Sequence, residues 1–581
     1  MMREAANEIK QRLGPHLPYL AVLGLATLLA GIPLFQFELM TGHDFLAYLP
    51  RSFEFYQGLN SGQVFPRWSA DFAFGYGEPT FNFSPPVVYY LTAFFHVIGF
   101  SFLSAENLAA FAILVLSGLG MYLLAGQAFG PRGGLVAAVA YLFAPYLLVS
   151  LYVRHALADF SAFAFIPFAF WGLYRYTAVG GYWRLLISAL STALLVLSST
   201  SVALITFPAL LLLFATMLFF EWRDRESSVI PALARGLWLF LLSLGLSAFY
   251  WLPSLAETDF VHLHRRLEGP ADFHNHFLYI HQLVFPQWGY GLSLPGSEDG
   301  MNFAIGPIHL LLLATSLWVS WRTATRLRQV GFLVPFFVSL SVLAGFFTIG
   351  TSVFIWERLS FLQMLQFPWR FLSLIAMSTG FVSGSMFIIF FKERRWRATG
   401  LMWILIVALV VVGFPHAKPR GFVVINGSVT PSSIVTSGHQ DPSRQLEPIW
   451  VRQTPTAPAA ERLTFIEGEG QVLTSKVTPT YYDFVTESTE ATRMRVNTFY
   501  FPGWKVFVDE VERPVDIENL TGVMEFPLGP GRHRVQVEFA NTPIRKWSER
   551  LSLLALVLLF TTPWMIRGFR LPNLASSRNP K

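Results

Sequence analysis

The chain has 581 residues, of which 53% are hydrophobic and only 13% are charged, whereas an average soluble domain carries about 25% charged residues. This composition excludes a single soluble core and predicts a membrane protein with many spans. Cysteine is absent, which excludes a disulfide framework and a thiolate metal site. The formal net charge of +6 lies in short Arg/Lys clusters between apolar runs, which is typical of cytoplasmic loops and not of a nucleic-acid-binding surface.

Twelve apolar runs are long enough to cross a bilayer. The first run exceeds the apolar region of a signal peptide, about 7 to 15 residues, so we expect a retained span that leaves the cytoplasm after Arg12. The runs lie near residues 17–38, 105–128, 133–150, 160–177, 184–200, 203–221, 234–253, 304–321, 331–349, 368–390, 398–415 and 549–566.

A further apolar run at 85–100 decides the topology, because every later loop changes side if it crosses the membrane. It is shorter, opens with two prolines and carries His96. If it does not cross, the dense Arg/Lys clusters, among them 322–328 and 392–397, fall on one side, as the positive-inside rule requires. We therefore predict an amphipathic segment at the outer interface, twelve spans in the cytoplasmic (inner) membrane, and both termini in the cytoplasm.

This topology predicts a polytopic α-helical membrane protein with a C-terminal β-sandwich outside the cytoplasm. In "RHRVQVEF", residues 532–539, hydrophobic and polar residues alternate with period two, as in half-buried strands. No catalytic constellation is evident in this domain. The predicted parts are a transmembrane module at 1–415 with outer loops 39–104 and 254–303, the β-rich domain at 416–548, and a last span with a cytoplasmic tail at 549–581.

An ionisable pair, His43 and Asp44, follows the first span directly. A carboxylate in an aromatic-walled cleft can take a proton from a sugar hydroxyl, so Asp44 is a candidate general base with His43 beside it. A solvated helix end is the alternative, because an acid costs little where water reaches it. Glu78, in the same loop, is either a substrate contact or a turn residue before Pro79.

A second polar cluster, Arg154, His155 and Asp159, lies at the outer end of a span by the same topology. Arg154 and Asp159 could pair only with each other. They could also form one wall of a site, with the guanidinium holding a phosphate oxygen.

The second outer loop is rich in histidine and arginine. Two His-x-His patterns suggest zinc, but there is no HExxH motif and the spacing matches no metal signature. Recognition of a lipid phosphate by cationic side chains is the favoured alternative, so we expect no metal. The candidates for substrate binding are His262, His264, Arg265 and Arg266, in a loop that also holds His274, His276 and His281.

Arg370 follows Pro368 and Trp369 at the outer end of another span. An arginine just inside an apolar run must pair, snorkel or face a cavity. A lipid-linked phosphate at the interface would suit it. No P-loop, dinucleotide fingerprint or GxSxG motif lies on a credible element, so we expect no cofactor and a lipid-linked substrate.

The ordered set of these segments resembles the GT-C membrane glycosyltransferases: "HD" after the first span, "PP" opening the interfacial run, and "FGPRGGLVAAVAYLFAPYLLVSLYVRHALADF". The "QFPWRF" segment and the ending from "FYFPGWKVFVD" look more narrowly like YfhO-like membrane proteins. They also look like chains labelled 6-pyruvoyl-tetrahydropterin synthase-related, although nothing here indicates pterin chemistry.

The resemblance implies transfer of a sugar from a polyprenyl-phosphate donor to an extracytoplasmic glycan, lipid or protein acceptor, with inversion and without a metal. It matches Asp44 to the catalytic acid of the first outer loop, and Arg154 and Asp159 to a second acid-bearing segment. The chain departs from the family in two places. His43 stands where an adjacent acid is common, and "SSTS" at 198–201 stands where a His or Asn is expected.

Two other functions remain as alternatives. A transporter or flippase of a lipid-linked saccharide would need ionisable residues within several spans or broken helices in matched halves. A non-catalytic envelope scaffold, whose β-domain binds a partner, would leave Asp44 without a role.

Overall fold

The computed structural model describes residues 14–36, 38–224, 228–267, 269–323, 331–391, 395–424, 430–438 and 444–568. Of the predicted cytoplasmic clusters at 322–328 and 392–397, residues 324–328 and 392–394 fall outside these residues. Each of the twelve predicted apolar runs contains a helix. The longer helices are Leu17–Gly31, Phe45–Asn60, Val87–Val97, Phe102–Leu142, Leu157–Val179, Tyr182–Ser198, Thr200–Asp224, Ile230–Leu246, Ala248–Ala256, Pro307–Thr323, Leu333–Thr348, Leu372–Ser383, Arg395–Gly413 and Pro543–Gly568.

The apolar helices make this a multi-pass membrane protein, although their lengths differ. Within the described residues, six helices are long and apolar enough to cross a bilayer, or seven if the bent pair Ile230–Leu246 and Ala248–Ala256 is one span. Tyr182–Ser198, Pro307–Trp321 and Leu333–Thr348 are apolar but shorter. The count of twelve crossings therefore stays a prediction.

The longest helix, Phe102–Leu142, is two antiparallel helices joined at Gly130. Gly130 has φ 75° and ψ 176°, which breaks the helix and which glycine adopts without the cost of a Cβ. A Cβ on Gly134 would lie 2.7 Å from the Cα of Gly126. The two halves therefore fold back on one another, as the two predicted runs at 105–128 and 133–150 require.

The run at 85–100 forms a helix of only 11 residues, Val87–Val97. At 1.5 Å per residue it is about 16 Å long, roughly half of the hydrocarbon core. Val88 and Tyr89 are buried against the other helices, whereas Phe94 and Val97 are exposed. This length and two-sidedness fit a helix that lies along a membrane surface.

The C-terminal domain contains two antiparallel sheets. The five-stranded sheet has the order Gly470–Thr478, Tyr481–Ser488, Gly531–Phe539, Trp504–Val508, Val511–Arg513. The three-stranded sheet has the order Leu463–Glu467, Thr492–Phe499, Val523–Leu528. The predicted alternation is confirmed in Gly531–Phe539, where Val535 and Val537 are buried while Arg534 is exposed.

The two sheets share one hydrophobic cluster, and the first loop is part of it. Trp68 and Phe83 join Trp504 and Phe526 in this cluster. The short strands Leu39–Met40 and Phe422–Val423 also pair antiparallel, so the start of the first loop is tied to the start of the C-terminal domain. The domain is therefore packed onto the helical module and not simply tethered to it.

A buried ion network closes this junction. Glu257 accepts hydrogen bonds from Arg545 at 2.8 Å and from Asn82 at 2.8 Å. Arg67 donates to Asn82 at 3.0 Å and lies 3.4 Å from Glu549. The last helix begins at Pro543, ahead of the predicted start at 549, because its first turns carry charges that pair in this network instead of facing lipid.

Candidate active site

One cavity of about 1180 Å³ is lined by eight segments of the chain. Its walls come from the first loop, the ends of several membrane helices, the second loop and the start of the C-terminal domain. Five residues of the predicted site line the cavity, together with several residues that were not predicted. The five are His43, Asp44, Arg154, Asp159 and Arg370, and the others include Tyr48, Arg51, Tyr89, Ser199, Ser201, His276, Phe367, Trp369 and Gln445.

Backbone pairing holds Asp44 beside the second cluster. The amide of His43 donates to the carbonyl of Val153 at 3.1 Å, and the amide of Asp44 donates to Arg154 at 2.9 Å. The two segments approach this closely because residue 42 is glycine, where a Cβ would lie 2.6 Å from the Cβ of His155. Asp44 then begins helix Phe45–Asn60, yet its side chain makes no capping hydrogen bond and is exposed. Its carboxylate is therefore available to the cavity.

His43 is neutral in this setting. Burial lowers the pKa of His43 below its ordinary value of 6.5, and the positive charge of Arg154 lowers it further. The backbone carbonyl of Tyr290 lies 3.3 Å from Nε2 and opposes this shift. The ring therefore connects the first loop to the second loop through its contact with this carbonyl.

Asp159 is the centre of a clamp. Its Oδ2 lies 3.0 Å from Nη2 of Arg154 and 3.3 Å from Nε of Arg370. Ser199 donates to Oδ1 at 2.7 Å. Asp159 is thus fully engaged, and its chemistry differs from that of Asp44. It brings two guanidinium groups to one wall of the cavity.

Aromatic rings fix the same two arginines from the other side. The guanidinium of Arg154 lies 4.7 Å from the centroid of the Trp369 ring, and that of Arg370 lies 5.2 Å from the Phe367 ring. Arg370 also donates to Ser201 at 3.0 Å. Planar guanidinium groups stack on rings while keeping N–H groups for a further acceptor. The arrangement can hold an anionic oxygen.

The second loop contributes a different histidine from those predicted. His276 is buried, lines the cavity, and has Nδ1 2.9 Å from Oγ of Ser293. Its ring meets Phe367 edge-on at 4.7 Å. By contrast, His262, His264 and Arg265 do not line the cavity. Arg265 donates to the carbonyl of Arg444 at the edge of the C-terminal domain, and the side chain of Arg266 lies outside the described residues.

Two more predicted contacts are buried elsewhere. His155 is 1% exposed, and its Nε2 lies 3.1 Å from Glu106, so it ties the turn before helix Leu157–Val179 to helix Phe102–Leu142 instead of facing the cavity. Glu78 is 3% exposed and pairs through its backbone with Ser69. Neither residue lines the cavity.

Sequence reasoning overlooked the serines. Ser199 and Ser201 belong to the "SSTS" segment that departs from the family pattern, and both bind clamp residues. Their position after a span at the predicted outer side was a usable signal. Within the described residues, no group of three or more His, Asp and Glu is arranged to hold a metal ion.

Comparisons with known proteins give one family match. Residues 84–247 match the family model described as dolichyl-phosphate-mannose-protein mannosyltransferase. No curated protein matches this sequence.

Solved structures give several distant likenesses. The oligosaccharyltransferase of Archaeoglobus fulgidus, tethered with an acceptor peptide, has a TM-score of 0.45 at 14% identity, over 72% of this chain and 56% of that one. The arabinofuranosyltransferase AftD from Mycobacteria has 0.40 at 13%, over 69% and 27%. ArnT from Cupriavidus metallidurans, bound to undecaprenyl phosphate, has 0.36 at 14%, over 69% and 64%. This chain therefore spans less than two thirds of the length of each.

Proposed function

We propose that this chain, whose residues 84–247 match the mannosyltransferase family model, is a membrane glycosyltransferase of the GT-C type. It would transfer a sugar from a polyprenyl-phosphate donor to a hydroxyl-bearing acceptor outside the cytoplasm. The resemblance to this superfamily is confirmed. The narrower likeness to YfhO-like proteins stays a prediction.

One observation carries the proposal: a carboxylate without a capping bond shares a cavity with two clamped arginines. Asp44 supplies an acceptor for a proton, while Arg154 and Arg370 supply positive charge in the same cavity. A buried or half-buried guanidinium pair favours a phosphate that approaches from the membrane. A general base and an anion site within one water-accessible cavity are the minimum requirements for glycosyl transfer.

The reaction follows from this geometry. Arg154 and Arg370 bind the phosphate oxygens of the donor, and Asp44 accepts the proton of the acceptor hydroxyl. The hydroxyl oxygen forms a bond to the anomeric carbon while the bond from that carbon to the phosphate oxygen breaks. The leaving group is polyprenyl phosphate, whose added charge the arginines stabilise. Attack from the face opposite the leaving group gives inversion.

The wider architecture belongs to the same proposal. We propose twelve crossings with the cavity on the extracytoplasmic side, and a C-terminal β-sandwich built from the two sheets. Support comes from the meeting of residues 43, 154, 199, 276 and 370 in one cavity, because the segments between them must then cross in pairs. The bilayer, the lipid-linked donor and the acceptor are the partners.

The test is direct transfer. Purified chain in nanodiscs is incubated with radiolabelled polyprenyl-phosphate sugars and an envelope glycolipid or polymer acceptor, and product is counted. We expect transfer by the parent and by Glu38→Gln, which removes an exposed acid of the same loop that does not line the cavity. We expect little transfer by Asp44→Asn. Binding of donor without transfer by the parent, across all acceptors, would count against an enzyme and favour a carrier.

A further inference from the structure

The second loop exposes an unusual set of large apolar side chains. Ile280 is 68% exposed, Phe285 69% and Leu292 60%. We call residues 278–294 the apolar loop. Soluble surfaces rarely show large contiguous apolar patches, which usually mark an interaction site. The exposed members of the loop are Tyr279, Ile280, Val284, Phe285, Leu292 and Leu294.

The apolar loop is attached to the ends of two membrane helices. The amide of Leu278 donates to the carbonyl of Thr348 at 2.8 Å, at the end of helix Leu333–Thr348. The amide of Ile305 donates to Leu283 at 3.0 Å, just before helix Pro307–Thr323 begins. The loop therefore sits at the level where these helices leave the bilayer.

The apolar surface continues from the helices onto the loop. On the two helices, Leu311 is 62% exposed and Val342 is 66% exposed, as expected for side chains that face lipid. Trp288 and Tyr290 follow in the apolar loop, and these two residue types are enriched at membrane interfaces. An aqueous location would leave the exposed side of the loop in water at a cost of about 25 cal/mol per Å².

The same loop forms one wall of the cavity. Leu292 and Leu294 line it, and the carbonyl of Tyr290 contacts His43. Arg154 and Arg370 lie on the polar wall. The cavity thus has an apolar side that joins the lipid-facing surface and a charged side that can hold an anion. A lipid phosphate has the matching two parts, an apolar chain and an anionic head group.

We infer that the apolar loop lies in the leaflet on the cavity side and is the entrance through which the isoprenoid chain of the donor reaches the cavity. Phe285 and Ile280 are inserted among acyl chains, and Leu292 and Leu294 guide the chain from the leaflet to the arginines. The insertion of the apolar loop is inferred from its exposed apolar surface alone. The passage of the donor rests on the proposed function.

Insertion is tested by spin labelling, for which the absence of native cysteine is convenient. Labels on Phe285→Cys and Ile280→Cys in nanodiscs are compared for relaxation by oxygen, which concentrates in lipid, and by a water-soluble nickel complex. Thr474→Cys, on an exposed strand of the C-terminal domain, is the control. We expect oxygen to dominate at both loop positions and nickel at the control. Nickel accessibility at the loop would overturn the insertion, as would protection from both reagents with cross-linking to a second chain.

The entrance is tested with two donors. A long-chain polyprenyl-phosphate sugar in the bilayer needs the apolar loop, whereas a short-chain, water-soluble analogue does not. Phe285→Ser should raise KM for the long-chain donor about 10-fold, the effect of losing one buried aromatic contact, and leave KM for the short-chain donor unchanged. Phe285→Leu should restore most of the loss. Equal changes for both donors would overturn the entrance. Absence of transfer by the parent would instead refute the proposed function and leave the labelling result intact.

Discussion

At the scale of single residues, the cavity holds two carboxylates in different environments. Asp44 is exposed and makes no side-chain capping bond. Asp159 is engaged by Arg154, Arg370 and Ser199. A general base must be able to take up a proton, and the charge of a clamped carboxylate is already used. We therefore assign the base to Asp44 and the positioning of the arginines to Asp159.

Asp44→Asn keeps the shape of the side chain and removes the proton acceptor. Turnover should fall by about 10²- to 10⁴-fold, and binding of polyprenyl phosphate should not change. His43→Ala should cost less, because the neutral ring orients the loop. Initial rates and lipid-phosphate binding, measured on the same preparations, test this. An Asp44→Asn protein with the parental rate would remove the residue from catalysis.

Asp159→Asn should act through the arginines. Loss of its charge should weaken polyprenyl-phosphate binding by about 1.5 to 3 kcal/mol, as should Arg370→Gln. The double variant should be only slightly worse than either single one, so the coupling should be close to one single loss, about 1.5 to 3 kcal/mol. Binding isotherms for the four proteins give the cycle. Additive losses, or a loss of turnover with normal binding in Asp159→Asn, would indicate a separate role for the carboxylate.

At the scale of elements, a pair of acids joins helix Phe45–Asn60 to the next turn. The amide of Asp71 donates to Glu54 at 3.2 Å, and Glu54 is 3% exposed. Burial raises the pKa of Glu54 well above its ordinary value, and the charge of Asp71 raises it further. Burial also raises the pKa of Asp71. The folded state therefore favours the form of the pair in which one of the two carboxyl groups is protonated.

This pair makes stability depend on pH in a defined direction. An acid whose folded pKa is raised binds more protons in the folded state, so stability decreases as pH rises from the unfolded pKa through the folded one. Glu54→Gln keeps a carbonyl acceptor and removes one charge. We expect its Tm to exceed that of the parent at pH 8 and the advantage to shrink toward pH 4.5. Thermal unfolding of both proteins, measured over this pH range, tests the prediction. An equal difference in Tm at all pH values would contradict a raised pKa for Glu54.

The helices could be predicted from the sequence because apolar composition is a local signal. The turn between the runs 105–128 and 133–150 was predicted correctly, because Gly130 and Pro131 are residue types that interrupt a helix. The start of the last helix could not be placed, because Arg545 and Glu549 look like loop charges until Glu257 and Arg67 are seen beside them. Long-range pairs leave no local pattern.

The site was predicted unevenly for the same reason. Asp44, Arg154 and Arg370 each stand at the mouth of a span, which is visible in the sequence, and all three line the cavity. Within the second loop, however, no periodicity orders the histidines. Its conformation depends on distant contacts such as that between His276 and Phe367. The sequence therefore favoured His262 and His264, which lie away from the cavity.

At the scale of the whole molecule, the cavity exists because segments far apart in sequence end on one side. Cysteine labelling tests this topology. Thr474→Cys, in the C-terminal domain, should react with a membrane-impermeant maleimide in intact cells. Val179→Cys, 56% exposed after helix Leu157–Val179, should react only after permeabilisation. Both substitutions lie on exposed surface, so expression should be normal. The opposite pattern would reverse the predicted orientation in the membrane. Labelling of both residues from outside would contradict the predicted topology.

The buried network at the junction has a consequence for biosynthesis. Glu257 is 2% exposed and Arg67 3%, and their partner helix Pro543–Gly568 is synthesised after both of them. Until then these charges lack their full set of partners, and a buried charge without its partner is strongly destabilising, by about 3 to 5 kcal/mol. The nascent chain should therefore keep the first loop open until helix Pro543–Gly568 has been made. A chain ending at residue 540 should be recognised by quality-control proteases even though every residue that lines the cavity has been made.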